Sequence, residues 1–62
     1  MNYQLLRQLR KAKKLTVKKM GGRVGVSGVY ISYIERGLRA PTVDVLERIC
    51  NELECELRII IK

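Results

Sequence analysis

Histidine is absent from this chain, only two cysteines occur, at 50 and 55, and no apolar run approaches the length of a membrane span. Each absence excludes something. Without histidine, and without a pair of carboxylates placed for acid–base work or a glycine-rich phosphate loop, the usual equipment of an enzyme is missing. A core of this size also leaves no room for a substrate pocket. Two thiols with no other soft ligand make a poor zinc site, and a five-residue separation is no disulfide framework, so neither metal nor cofactor is expected. The plain reading is that Cys50 is a small core residue and Cys55 a strand residue, compatible with a reducing cytoplasm. A bilayer span needs about 20 apolar residues, and no signal-peptide pattern is visible, so no membrane association is expected.

Acid is also scarce, and unevenly so. Residues 1–41 hold ten Lys/Arg against one acid, Glu35, a net of +9, whereas residues 42–62 hold three against five, a net of −2, within an overall +7. A basic majority joined to a slightly acidic end implies a polarised molecule with one face for a polyanion. No helix pairs a basic face with bulky aromatics, which disfavours a lipid surface and leaves nucleic acid as the better partner. Sixty-two residues make one domain near the lower limit for independent folding; such a domain buries only about 60% of its unfolded surface.

The stretch 16–37, TVKKMGGRVGVSGVYISYIERG, organises the rest. It reads as two short helices broken by a tight turn. Met20 and Val24 lie four apart on one helical face. Gly25 stands where a chain leaving a helix needs positive φ. Val26 re-enters the core, and Ser27 is placed to cap the next helix. In that second helix Ile31 and Ile34 face inward, leaving Gly28, Val29, Ser32 and Tyr33 outward, and Gly37 closes it. A small residue at Gly21 lets the two helices cross closely.

These elements, in this register and ending in Ile34-Glu35-Arg36-Gly37, resemble the helix-turn-helix of the phage repressor/Cro-like (XRE) family over about residues 6–53. The resemblance implies an all-α, four-helix, lambda-repressor-like domain that binds double-stranded DNA. It implies that Ser27, Gly28, Val29, Ser32 and Tyr33 reach base edges in the major groove. Related proteins often carry amide or guanidinium side chains there, because bidentate groups discriminate bases. Here Val29 could pack on a thymine methyl, while Ser32 and Tyr33 could make single hydrogen bonds, a reader of modest specificity that relies partly on DNA shape. Phosphate contacts are implied for Thr16, Val17, Lys18, Tyr30, Arg36 and Arg39. Val17 departs from the glutamine common in the family, so only its backbone N–H remains for that contact. Tyr30 is expected to pack against the preceding helix, with its hydroxyl free to reach a phosphate. An arginine at the place of Arg10 pairs in the family with a glutamate at the place of Glu35. Since Glu35 is the lone acid of the first 41 residues, a partly buried ion pair is expected between them.

The flanks follow the same logic. Residues 1–13 read as a first helix, with Asn2 as a cap, Leu5, Leu6 and Leu9 as its apolar stripe, and Arg7, Arg10, Lys11, Lys13 and Lys14 as a cationic remainder. Thr16 caps the second helix. Gly21 and Gly22 in succession are unfavourable by about 0.8–1.0 kcal/mol each relative to alanine; Gly21 has a packing reason and Gly22 has none. After Pro41, Thr42 caps a fourth helix whose Val43, Leu46, Ile49, Cys50 and Leu53 follow helical spacing, with Asp44 favourable to its dipole. From Cys55 the period becomes two: Cys55, Leu57, Ile59 and Ile61 alternate with Glu56, Arg58, Ile60 and Lys62, a strand signal.

A lone strand demands a partner strand, most simply from a second copy. The expected organisation is therefore a DNA-binding domain over residues 1–53 and a dimerisation strand over 54–62. Cys55, Leu57, Ile59, Ile60 and Ile61 would lie at a two-fold interface, as in the HipB-like antitoxins that the tail resembles. Such a homodimer would set two recognition helices about 34 Å apart on a palindromic operator. Two functions fit: a sequence-specific transcriptional regulator, most simply a repressor, or the antitoxin of a toxin–antitoxin pair, with a toxin protein as partner and its own operator as DNA target.

Overall fold

The computed structural model describes residues 2–61. It consists of α1 (Tyr3–Ala12), α2 (Val17–Val24), α3 (Gly28–Glu35), α4 (Val43–Leu53) and α5 (Leu57–Ile61). The expectations placed on Met1 and Lys62 fall outside the described residues. Each of the first four helices starts on a side-chain cap: Asn2, Thr16, Ser27 and Thr42 accept from the backbone N–H of Leu5, Lys19, Tyr30 and Val45, respectively. Such caps supply one of the four N–H groups that a helix start leaves unpaired.

The same four helices end alike, each on a residue in the left-handed conformation: Lys14, Gly25, Gly37 and Glu54. In every case the next N–H turns back to a carbonyl five residues earlier: Leu15 to Arg10, Val26 to Gly21, Leu38 to Tyr33 and Cys55 to Cys50. This closing bond consumes orphan carbonyls and reverses the chain sharply, which lets five helices fold within so few residues.

The core is built from Leu6 of α1, Met20 and Val24 of α2, Ile31 and Ile34 of α3, Leu46, Ile49, Cys50 and Leu53 of α4, and Ile60 of α5. The apolar faces thus sit as their helical spacing requires, with two exceptions. Val43, expected inside, is 67% exposed at the first position of α4, and Val45 packs against the core in its place. The larger correction concerns the tail. The segment expected to be a strand is the helix α5, and Ile60, assigned to an intersubunit strand, is fully buried in the chain's own core.

Two local causes account for this. Cys55 commits its N–H to Cys50 in the turn that closes α4, and the N–H of Asn2 donates to the carbonyl of Ile60 at 2.7 Å, tying α5 to the start of α1. Leu57 and Ile60 also lie three apart, so a short apolar run satisfies either period. Cys55 and Leu57 are half-buried against the same core, leaving Ile59 and Ile61 as the exposed residues of the five assigned to an interface.

Candidate functional site

The α2–turn–α3 unit is held by two glycines rather than one. A Cβ at Gly21 would lie 2.5 Å from the carbonyl oxygen of Val26, and a Cβ at Gly28 would lie 2.9 Å from the Cα of Lys18. Both approaches are to backbone, which cannot swing away as a side chain can. Gly28 therefore packs its Cα on the first turn of α2. A side chain at 28 would point at α2, so Gly28 has only its backbone to offer at the outer surface.

The remaining expected base-contacting residues divide by exposure. Val29 is 61% exposed and Tyr33 is 37% exposed, four apart on one face of α3. Ser32 is half-buried, and the hydroxyl of Ser27 is engaged as the cap of α3. Tyr30 is half-buried against the core, as is Val17. Thr16, Lys18, Arg36 and Arg39 are exposed, Arg36 just past the end of α3 and Arg39 in the connection to α4.

Behind this surface lies the chain's one fully internal ion pair among the described residues. Arg10 donates from Nε to Oε2 of Glu35 at 2.7 Å and from Nη2 to Oε1 at 3.1 Å, and its Nη1 donates to the carbonyl of Leu15 at 2.7 Å. Both side chains are more than nine-tenths buried. The pair ties the end of α1 to the last turn of α3, and the third bond holds the loop that leads into α2.

The other ion pairs sort the surface charge. Lys13 meets Glu54, Arg23 meets Glu52, Arg48 meets Asp44 and Arg58 meets Glu56. The Lys13 ammonium holds the exposed Glu54 carboxyl below its ordinary range. Among the described residues, Arg7, Lys11, Lys14, Lys18, Lys19, Arg36 and Arg39 have no carboxylate partner. All seven belong to α1 and the loop after it, the start of α2, or the end of α3 and the connection that follows. Acids of α4 and the tail neutralise their partner cations, and two of the cations left over, Arg7 and Arg36, share a hollow with Ser32 of α3.

Sequence reading treated Arg7 and Lys11 as solvated charge. The signal that singles them out is the lack of an acid to pair with: Glu35 lines the same hollow as Arg7 but is held by Arg10. A concavity of about 270 Å³ joins these parts, lined by Arg7, Arg10, Val17, Ser32, Glu35 and Arg36. It brings α1, the first turn of α2 and the outer face of α3 to one place.

Among the described residues no group of three or more Cys, Asp or Glu is placed to hold a metal ion. No helix is long and apolar enough to cross a membrane. Cys50 and Cys55 are free thiols; burial, then the hydrogen bond and charge of Cys55, push the Cys50 thiol up to about 12. What the fold and this surface define is a small helical domain in which the outer face of α3, with Val29 and Tyr33 exposed, lies beside cations that have no carboxylate partner.

The family model for helix-turn-helix proteins matches residues 6–60. The chain belongs to this helix-turn-helix family, of the phage repressor/Cro-like type. It is 34% identical over 55 residues to uncharacterised helix-turn-helix-type transcriptional regulators of Mycobacterium tuberculosis, strains CDC 1551/Oshkosh and H37Rv. The match covers 89% of this chain and 39% of those relatives, so the chain spans well under half of their length. Two solved structures of SinR are similar over the whole of this chain, each with a TM-score of 0.89 at 28% identity. In one, SinR, the master regulator for biofilm formation, is in complex with DNA, and the match covers all of both chains. The other is the complex of SinR with SinI, where all of this chain matches 61% of that one.

Proposed function

We propose that this chain is the DNA-reading unit of a transcriptional regulator, laying α3 in the major groove of a duplex while α1, the start of α2 and the connection after α3 engage phosphates. The observation that carries this reading is the sorting of charge: seven cations of the described residues lack acidic partners, all between α1 and the connection after α3, and two of them, Arg7 and Arg36, share a hollow with Ser32 of α3. A surface of that kind favours a polyanion and steers its approach. The side chains offered to the bases are Val29, Ser32 and Tyr33. Contacts to phosphate come from Thr16 and the backbone at Val17, where α2 begins, and from Lys18, Tyr30, Arg36 and Arg39. With no amide or guanidinium side chain on the outer face of α3 itself, discrimination rests on a few contacts and on groove shape.

The finer reading is a repressor that acts as a homodimer on a palindromic operator and occludes polymerase. A second reading is that the chain also holds a partner protein, including the toxin of a toxin–antitoxin pair. Ile59 and Ile61, exposed on α5, offer apolar contact for such a partner, and the similar SinR is known with the protein SinI.

Selection from random-sequence duplexes, repeated across a salt series, tests the proposal. An enriched palindrome with half-sites about one helical turn apart supports a dimeric operator reader. Salt-steep binding that enriches nothing would reduce the chain to a non-specific binder. No duplex binding at all would overturn the reading.

A further inference from the structure

Arg7, like Lys11 and Lys14, lies outside the helix-turn-helix unit and in no ion pair among the described residues, but it occupies a distinctive place. It lines the concavity shared with Val17, Ser32 and Arg36. It also lines a second, open groove of about 530 Å³ along the start of α1, together with Gln4, Arg36 and Gly37. Arg36 borders both hollows as well, so the two arginines stand on a common rim between α1 and the end of α3. The only carboxylate there is Glu35, and Arg10 occupies both of its oxygens. Among the described residues the rim therefore carries three guanidinium groups against one carboxylate, a local excess of two positive charges.

We infer that Arg7 and Arg36 together bind one backbone phosphodiester of duplex DNA, extending the interface from the α2–turn–α3 unit onto α1. The inference rests on the DNA-reading function proposed above. Guanidinium groups suit this ligand because their planar forks match paired phosphate oxygens. The place suits it because Ser32 of α3 and Val17 at the start of α2 line the same hollow, so a phosphate held by the two arginines would lie beside the proposed reading face. Gln4, Gln8 and Lys11 continue the same exposed face of α1 beside Arg7, so the charge continues along the helix without meeting an acid.

The test is the salt dependence of duplex binding by the wild-type chain, Arg7→Gln and Arg58→Gln. Arg58 lies on α5 paired with Glu56, so its variant controls for a simple loss of net charge. Each phosphate contact contributes about 0.9 to the slope of log K against log salt concentration. Arg7→Gln should lower that slope by about one while weakening all sequences alike, and Arg58→Gln should leave it unchanged. Replacing single phosphates by uncharged methylphosphonates should reveal one position at which wild type and Arg7→Gln bind equally. An Arg7→Gln slope equal to wild type overturns the inference while leaving the DNA-reading function standing, as does an equal fall in Arg58→Gln. A wild-type chain that binds no duplex overturns both. Arg7 is exposed, and circular dichroism of the variant verifies that it folds.

Discussion

Arg10 and Glu35 are 25 residues apart in sequence and joined by two hydrogen bonds, of 2.7 and 3.1 Å, inside a domain whose other ion pairs are exposed. The relationship is structural: it positions the last turn of α3 against α1 and, through the bond from Arg10 to Leu15, the loop that starts α2. Truncating Arg10 leaves a buried carboxylate without its cation. Removing one partner of such a pair costs about 3–5 kcal/mol, so Arg10→Ala should unfold at far lower urea than wild type. The double change Arg10→Met with Glu35→Leu should recover much of the loss, because it leaves no charge stranded. An Arg10→Ala midpoint equal to wild type would show that the pair contributes nothing.

Gly21 and Gly22 are neighbours with opposite prospects. An alanine at 21 would drive its methyl to 2.5 Å from the Val26 carbonyl, whereas at 22 nothing lies within 4 Å. Gly21→Ala should therefore destabilise by about 1–3 kcal/mol or more through forced separation of α2 and α3. Gly22→Ala should stabilise by about 0.5–1 kcal/mol, since nothing in the structure requires glycine there. In a domain this small each kcal/mol moves the melting temperature by about 4–8 °C. Two thermal melts decide it, and a shift of the same sign in both variants would contradict the geometry.

How much of this was legible beforehand depended on whether a signal was local. The caps, the helix-ending glycines and the apolar faces of α1 to α3 follow from residue type at fixed spacing, whereas the Arg10–Glu35 pairing, 25 residues apart, was implied by the family resemblance. Spacing gives the face of a residue but not how near a neighbouring backbone comes, so the close approach of Gly28 to α2 is legible only in the structure. The tail failed for a different reason. Alternation over eight residues looked like a strand, but a run this short is equally a helical turn, and the deciding fact, that Ile60 meets α1 and α4, is tertiary. Glu54 also concealed the end of α4, being a non-glycine residue with φ of 56°.

That correction has its own consequence. If Ile60 belongs to the core of the single chain, Ile60→Ala should cost about 2–5 kcal/mol. Cutting the chain after Leu53 should impair folding rather than merely change its oligomeric state, because Leu6, Leu46 and their neighbours lose a lid. Ile61→Ala, at a position 48% exposed, should be nearly neutral. Urea unfolding of the two alanine variants separates these cases; similar midpoints for both would return the tail to the surface.

Cys50 links stability to pH. Its thiol is pushed from an ordinary value of 9.0 to about 12 by burial first and by Cys55 second. The folded state thus keeps its proton where the unfolded state has lost it. Stability from this group is fully present below pH 9 and falls between about 9 and 12, with a slope of at most about 1.4 kcal/mol per pH unit. Cys50→Ala should flatten that alkaline loss, as followed by urea midpoints from pH 8 to 10.5. In the folded chain an alkylating reagent should modify Cys55 well before Cys50, since thiolate and access are both needed. Equal rates at the two thiols would mean that the closing turn of α4 opens readily.

The last expectation concerns the bases themselves. Gly28 has no side chain and is packed on α2, Ser27 is engaged as a cap, and Ser32 is half-buried, so the most exposed side chain on α3 is the isopropyl group of Val29. An isopropyl group can distinguish bases in the major groove only by contact with the 5-methyl of thymine, the one apolar feature presented there. Burying a methyl-sized group contributes about 0.8 kcal/mol, close to a fourfold change in affinity. Once an operator has been selected, replacing each thymine in turn by deoxyuridine should therefore reveal one position per half-site that loses about fourfold. Val29→Ala should bind less tightly and lose most of its sensitivity at that position, while its salt slope stays at the wild-type value, because no phosphate contact has been touched. If every thymine tolerates the loss of its methyl, Val29 does not read bases. Any specificity would then have to come from Tyr33, Ser32 and the shape of the groove.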